Sequence, residues 1–254
     1  MKKIFAAIIS LVVAVSMTAC GSSSEQNQDS AASTTAANSS TESNDPSSGR
    51  NSEVIDGSNQ ERSGDNSTQG SNILVAYFSR VGNTVWDDDV DAVTSASLNV
   101  VNGEFVGNAQ ILAQMAQEVT GGDLFLIQTE DTYPSDYRKT TDVAADEQND
   151  NAHPALFSHV ENMDQYDTIV LIYPNWWGTL PQPLFTFLEE YDFSGKTILP
   201  LCTHEGSRMG SSEKDIASLC PEATLLDGLD VRGSSAASAQ SDVERWIADS
   251  GILD

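Results

Sequence analysis

Ile73-Leu-Val-Ala-Tyr-Phe78, followed at once by Ser79-Arg80-Val81-Gly82-Asn83-Thr84, is the stretch on which the reading of this chain turns. The first six residues are apolar, hold no Gly or Pro, and read as a strand buried on both faces. The next six are of another kind. Ser79 and Thr84 carry hydroxyls, and Gly82 lets the backbone turn so that successive N–H groups converge on one point, an arrangement suited to phosphate. An ordinary strand-to-helix turn draws on the same residue types, so on these six residues alone both readings stand.

Toward the N-terminus, residues 1–20 have the form of a secretion signal: Lys2 and Lys3, an apolar run from Ile4 to Val15, then small residues. The run is too short for a membrane-spanning helix. Met17-Thr18-Ala19-Cys20-Gly21 resembles the bacterial lipobox, which implies lipidation of Cys20 and a lipid anchor to the membrane; plain cleavage at an Ala-x-Ala-like site is the alternative. Residues 21–71 are Ser, Asn, Thr, Gln, Gly and acids, and are expected to be a disordered tether. Residues 72–254 are then one folded domain.

The chain carries a net charge of -26. Residues 72–254 hold 30 acidic side chains against eight Lys and Arg, a net of −22. Such a field repels nucleic acid and anionic membrane surfaces. Neutral quinones and cationic partners are not repelled, and solubility of a surface-exposed protein accounts for the charge equally well. The three Cys give no disulfide framework: Cys20 goes to lipid, while Cys202 and Cys220 fall at opposite ends of a strand–loop–helix unit and are expected as buried thiols. There is no CxxC, no His cluster and no metal-ligand spacing. The acids at 87–91 read as a solvated loop, since no EF-hand pattern follows.

The pattern downstream alternates strands with helices. A small hairpin over 98–106 turns on Asn102-Gly103. A helix starts at Asn108 as N-cap and stops at Gly121-Gly122. Strands at 124–127, 167–173, 197–201 and 223–231 alternate with helices from Pro134 to about 149, at 184–191, up to Leu219, and over 237–248. Five strands in this rhythm mean an α/β three-layer sandwich with a parallel sheet covered on both faces. Three unusual loops, at 79–84, 174–181 and 203–212, all follow strands, so they are expected to meet at the sheet's carboxyl edge.

These three loops resemble those of the flavodoxin family, over about residues 72–252, and more closely its domains on secreted lipoproteins. Tyr77-Phe-Ser-Arg-Val-Gly-Asn-Thr84 is similar to the family's FMN phosphate loop, Tyr173-Pro-Asn-Trp-Trp-Gly178 to its isoalloxazine loop, and Thr203 to Ser212 stands where its second flavin loop stands. The resemblance implies a flavodoxin-like five-stranded parallel sheet in order 2-1-3-4-5. It implies FMN as cofactor, with Ser79, Val81, Gly82, Asn83 and Thr84 around the phosphate. Pro174, Asn175, Trp176, Trp177 and Gly178 would then edge or stack on the ring, and Thr203, His204, Glu205, Gly206 and Gly210 would form the other wall. An indole suits a flat apolar ring. Adjacent residues of an extended segment point to opposite faces, so one indole packs inward and the other is free for the ring; Trp177, next to Gly178 and nearer the loop tip, is assigned to the ring and Trp176 to packing. His204 is otherwise a solvated loop residue, and Arg80 faces either the phosphate or water. Two features depart from the family pattern: residues 85–107 separate the phosphate loop from the first long helix, and 203–212 holds no Tyr or Trp, which implies one open ring face.

Three functions are compatible with this sequence. One is extracytoplasmic electron transfer through FMN, with a redox partner protein or a membrane quinone. The second is an FMN-dependent quinone or nitro-compound reductase. The third is a non-redox flavin-binding lipoprotein, or one that holds another planar phosphate ester without redox work. No dinucleotide Gly fingerprint or basic 2′-phosphate site is present.

Overall fold

The computed structural model describes residues 72–87 and 95–254. The expected leader with Cys20, the tether at 21–71 and most of the acidic run at 87–91 lie outside the described residues. In chain order the elements are β1 (Ile73–Phe78), a hairpin of β2 (Leu98–Val101) and β3 (Glu104–Gly107), α1 (Asn108–Thr120), β4 (Asp123–Ile127) and α2 (Tyr137–Asp150). Then come β5 (Thr168–Pro174), α3 (Gln182–Glu190), β6 (Thr197–His204), α4 (Ser212–Leu219), the short β7 (Thr224–Leu225) and β8 (Leu229–Arg232), and α5 (Gln240–Ser250).

The main sheet runs β4-β1-β5-β6-β7, with β8 also on β6, and every pairing is parallel. Counted along the chain this is the order 2-1-3-4-5. All six side chains of β1 are buried because both faces of the sheet are covered. Alternation divides them: Leu74, Ala76 and Phe78 enter one core with Leu184, Phe187 and Ile216 of α3 and α4. Ile73, Val75 and Tyr77 enter the other with Leu112, Ala116, Val243 and Ile247 of α1 and α5. The chain leaves β1 toward β4 on one side, while β5 lies on the other. A crevice therefore opens at the carboxyl ends of β1 and β5, the usual ligand position in an open parallel sheet.

The structure corrects the element reading in four places. The fifth strand is broken into β7 and β8. Leu226 N–H still donates to Ile198 O, but Asp227 and Gly228 turn elsewhere: Gly228 N–H donates to Glu213 Oε1 at 2.9 Å and Trp246 Nε1 donates to Asp227 O at 3.0 Å. Asn108 is the first residue of α1 and not its N-cap; Gly107 caps without a side chain, and the Asn108 amide is committed elsewhere. β6 runs through Thr203 and His204, so these are strand residues and not part of a loop. The last helix begins at Gln240, after a 3-10 turn over Gly233–Ser238.

Candidate functional site

The loop after β1 is knitted into the protein. Val81 N–H donates to Ser79 Oγ (3.1 Å), and Asn83 N–H donates to Arg80 O (3.0 Å). The Asn83 side chain makes four bonds. Nδ2 donates to Ser79 O (2.8 Å) and Ile127 O (3.0 Å), and Oδ1 accepts from Thr129 N (2.8 Å) and Thr129 Oγ1 (3.2 Å). Asn83 thus ties the end of β1 to the end of β4. Ser79 is sealed from the other side, since a Cβ on Gly107 would fall 1.9 Å from its Oγ. The N-terminus of α1 therefore returns to the loop despite the two dozen residues between them.

The two later loops lock onto each other. Trp176 N–H and Thr179 N–H each donate to the other's carbonyl, at 3.0 and 3.1 Å, closing a tight turn with Trp177 at φ 52° and Gly178 at φ 88°. The segment is therefore a turn and not the extended stretch assumed from sequence, although Trp176 does pack against the core. Trp176 is partly buried, edge-on to Phe78 (5.4 Å) and Tyr133 (5.1 Å). Trp177 is 58% exposed, and its Nε1 donates to Thr141 O of α2 at 2.9 Å. Asn175 bridges the loops: its Nδ2 donates to Arg208 O (2.9 Å) and its Oδ1 accepts from Gly178 N (3.0 Å). Arg208 also has φ 53°. Non-glycine residues in this conformation carry strain and cluster at ligand-holding sites. Gly210 has no room for a side chain, because its Cβ would lie 2.0 Å from Gly178 O.

His204 is buried and not a solvated loop residue, because β6 extends through it. Gly206 N–H donates to His204 Nδ1 (2.8 Å), which places the ring proton on Nε2, toward Asp230 Oδ2 at 3.0 Å. Thr203 Oγ1 donates to Ala96 O. That carbonyl belongs to a strap, Ser95–Leu98, that lies across the carboxyl ends of the strands. Asn108 Nδ2 holds the strap by the carbonyls of Ser95, Ala96 and Leu98 (3.0, 3.1 and 3.2 Å), Asn108 N–H donates to Ser97 O, and Trp176 Nε1 donates to Ser97 Oγ (2.9 Å).

Between these parts opens a cavity of about 520 Å³, within the size range of small-ligand sites. Of the residues selected from sequence, Asn175, Trp176, Trp177, Gly178, Glu205 and Gly206 line it. Ser79, Val81, Gly82, Asn83, Thr84, Pro174, Thr203, His204 and Gly210 are not among its lining residues. The strap residues Ser95–Ser97 and one face of α2, through Tyr137, Thr140, Thr141 and Ala144, complete the wall. Neither was expected. The small residues at 95–97 carry no local signal of a site, and the polar pattern of α2 hid its role.

Arg80 also lines the cavity. It is 1% exposed, with its guanidinium 5.1 Å from the centre of the Trp86 ring. Nη2 donates to Pro134 O (2.8 Å) and Ser135 O (2.9 Å); Nε and Nη1 have no partner. Burial pulls the guanidinium down to about 10 against the opposing influence of Asp136, so it stays charged at neutral pH. Among the described residues six buried side-chain polar atoms lack a partner, and five of them fall on Arg80, Thr84, Asn108 and Gln110; the sixth is Gln182 Oε1. Buried polar atoms are normally satisfied. Of these residues only Arg80 lines the cavity, where its free N–H groups suit a polar ligand and the indoles suit a flat ring beside it. The residues present therefore fit a flavin mononucleotide.

A doubly wound parallel sheet in this order, with its cavity at the switch point, defines an open α/β protein of the doubly wound class. Residues 99–250 match the family model described as Flavodoxin. The chain belongs to the flavodoxin family. Two solved structures, both described as candidate flavoproteins, are similar to it. One, from Bacteroides uniformis, is 27% identical over 70% of this chain and 99% of its own, with a TM-score of 0.54. The other, from Bacteroides eggerthii, is 26% identical over 71% and 98%, with a TM-score of 0.55. No curated protein matches the sequence.

Proposed function

We propose that this protein binds FMN and transfers electrons outside the cytoplasmic membrane, held there by a lipid on Cys20. The observation that carries the FMN assignment is the cavity at the switch point, with an exposed indole on one wall and unpartnered buried polar atoms on another. The two similar structures are themselves described as candidate flavoproteins, which supports a flavin. A bound flavin supplies reversible one- or two-electron chemistry. The chain's own residues bind and shield it: Trp177 covers the ring, the turn at Asn175–Gly178 presents backbone groups to its edge, and the strap closes one side. The excess of carboxylates leaves neutral quinones and cationic proteins as the acceptable redox partners.

A reductase is the second reading, favoured by one observation. Tyr137 and Trp177, both at the cavity, are 44% and 58% exposed and leave an aromatic rim open to a second planar molecule. Purification of the full-length chain, identification of its flavin, and assay with NADPH and a quinone separate the readings. Reversible reduction without turnover supports the carrier, and turnover supports the reductase. Absence of any flavin refutes both and leaves a lipoprotein that holds another planar phosphate ester. Cys20→Ala is expected to release the protein from membranes or leave it uncleaved; unchanged fractionation and processing refute the anchor.

A further inference from the structure

His204 ends β6, and the three residues after it, Glu205, Gly206 and Ser207, form part of the cavity wall. That wall is lightly held. Gly206 has φ 135°, a conformation that glycine adopts with ease and other residues do not, and a Cβ there would meet nothing within 4 Å. Packing therefore does not fix this residue. The hydrogen bond from Gly206 N–H to His204 Nδ1, at 2.8 Å, does. Other ties of the segment are longer: Glu205 to Arg232 at 4.0 Å, and Gly210 N–H to Ser207 O at 3.2 Å.

His204 is 6% exposed, and both of its ring nitrogens are engaged. Nδ1 accepts from Gly206, so Nε2 carries the proton and donates to Asp230 Oδ2 at 3.0 Å. The neutral ring is thereby satisfied. A second proton has one place to go, Nδ1, where it would set two donors 2.8 Å apart. Asp230 would keep the charged ring as an ion pair, so the bond that breaks is the one to Gly206. The charged groups around the ring are Asp230 and Arg232 of β8, Glu205 next in sequence, and Arg208, whose Nη1 lies 3.3 Å from Asp230 Oδ1. Cys202 on β6 stays a neutral thiol, since burial pushes it up to about 12. The strap and the turn over Gly233–Ser238 bring no acid or base.

Resting on the flavin reading above, we infer that neutral His204 positions the wall at 205–207, and that a proton on Nδ1 releases this wall and loosens the site's hold on a flavin. His204 is a positioning residue: it is not among the lining residues, and it acts through Gly206. The coupling is reciprocal, so a bound flavin opposes protonation of the ring. No covalent step is involved.

The test titrates FMN and riboflavin into the full-length chain and into His204→Gln at about pH 8 and about pH 5, the span in which imidazoles change charge. NMR of the flavin-free protein follows the His204 ring nitrogens and the Gly206 amide over the same span. Riboflavin is the control for the phosphate of FMN, which also titrates there. One neutral hydrogen bond corresponds to roughly 2- to 10-fold in affinity. The wild type is expected to lose about that factor for both flavins at the lower pH, with the Gly206 amide moving as the ring titrates. Gln offers Gly206 a carbonyl acceptor that does not titrate, so in His204→Gln the riboflavin loss should vanish. The same loss in the variant would assign the pH dependence to another group and overturn the inference. So would equal wild-type riboflavin affinity at both pH values, a proton on Nδ1 at the higher pH, or a ring that titrates without moving Gly206. If His204→Gln does not fold, the wild-type measurements decide on these terms. If neither flavin binds, the flavin reading fails, and the coupling of the ring to the Gly206 amide alone upholds or overturns the role of His204.

Discussion

Replacing Asn83 by Ala separates a residue that builds the site from one that touches its ligand. The side chain makes four buried hydrogen bonds, two to carbonyls and two from Thr129. Truncation leaves Ser79 O, Ile127 O and Thr129 N–H without these partners. At roughly 0.5–1.5 kcal/mol for each bond, the expected destabilisation is about 2–6 kcal/mol. That is a large share of the roughly 5–15 kcal/mol that holds a typical protein folded. Asn83→Asp keeps the shape and both acceptors but cannot donate as a carboxylate to Ser79 O and Ile127 O, so at neutral pH it should be no better than Ala. Urea unfolding followed by circular dichroism and tryptophan fluorescence reads the effect as a lower midpoint at unchanged slope. A loss under about 1 kcal/mol, well below the sum of the bonds, refutes the structural role. So does weakened FMN binding at unchanged stability, which would put Asn83 in contact with the phosphate.

Trp177→Ala is expected to leave some FMN bound with its fluorescence restored, whereas Trp176→Ala should lower stability by about 3–5 kcal/mol; the reverse pattern in flavin emission and unfolding would exchange their roles. Gly210→Ala drives a methyl into Gly178 O and strains a left-handed residue, so flavin affinity and thermal midpoint should fall together; retention of both would show that the two loops are not interlocked. Burial holds the Glu147 carboxyl above its usual range, against the opposing influence of the hydrogen bond from Tyr133. A raised folded-state value gives stability that is full below the unfolded value and lost as pH rises through the folded one. Glu147→Gln should therefore flatten the stability profile from about pH 4 upward, and an unchanged slope refutes this.

The strands and their order were legible because burial on both sheet faces writes continuous apolar runs such as Ile73–Phe78, and because the hydroxyl- and Gly-rich breaks fall after strands. Trp176 and Trp177 were separable because one side chain finds the core and the other does not, although the mechanism is a turn. The fate of Asn83 was not legible, since its partners Ile127 and Thr129 lie more than 40 residues away. Asn108 read as a helix cap because local propensity says so; its amide instead serves three strap carbonyls, a tertiary demand that overrides propensity. Arg80 was ambiguous for the same reason: only the fold shows that Trp86 and the carbonyls at 134 and 135 take it out of water.

The strap at Ser95–Leu98 also bears on the order of assembly. Its bond from Thr203 spans 107 residues, and its bond from Trp176 spans 79. Neither can form until β5 and β6 have joined the sheet, so this wall closes late in folding, after long loops have been drawn together. Segments fastened by a few long-range bonds are also those that open first from the native state. The two long-range bonds are therefore expected to dock last and to open first, and a flavin entering while they are open need not force any strand apart.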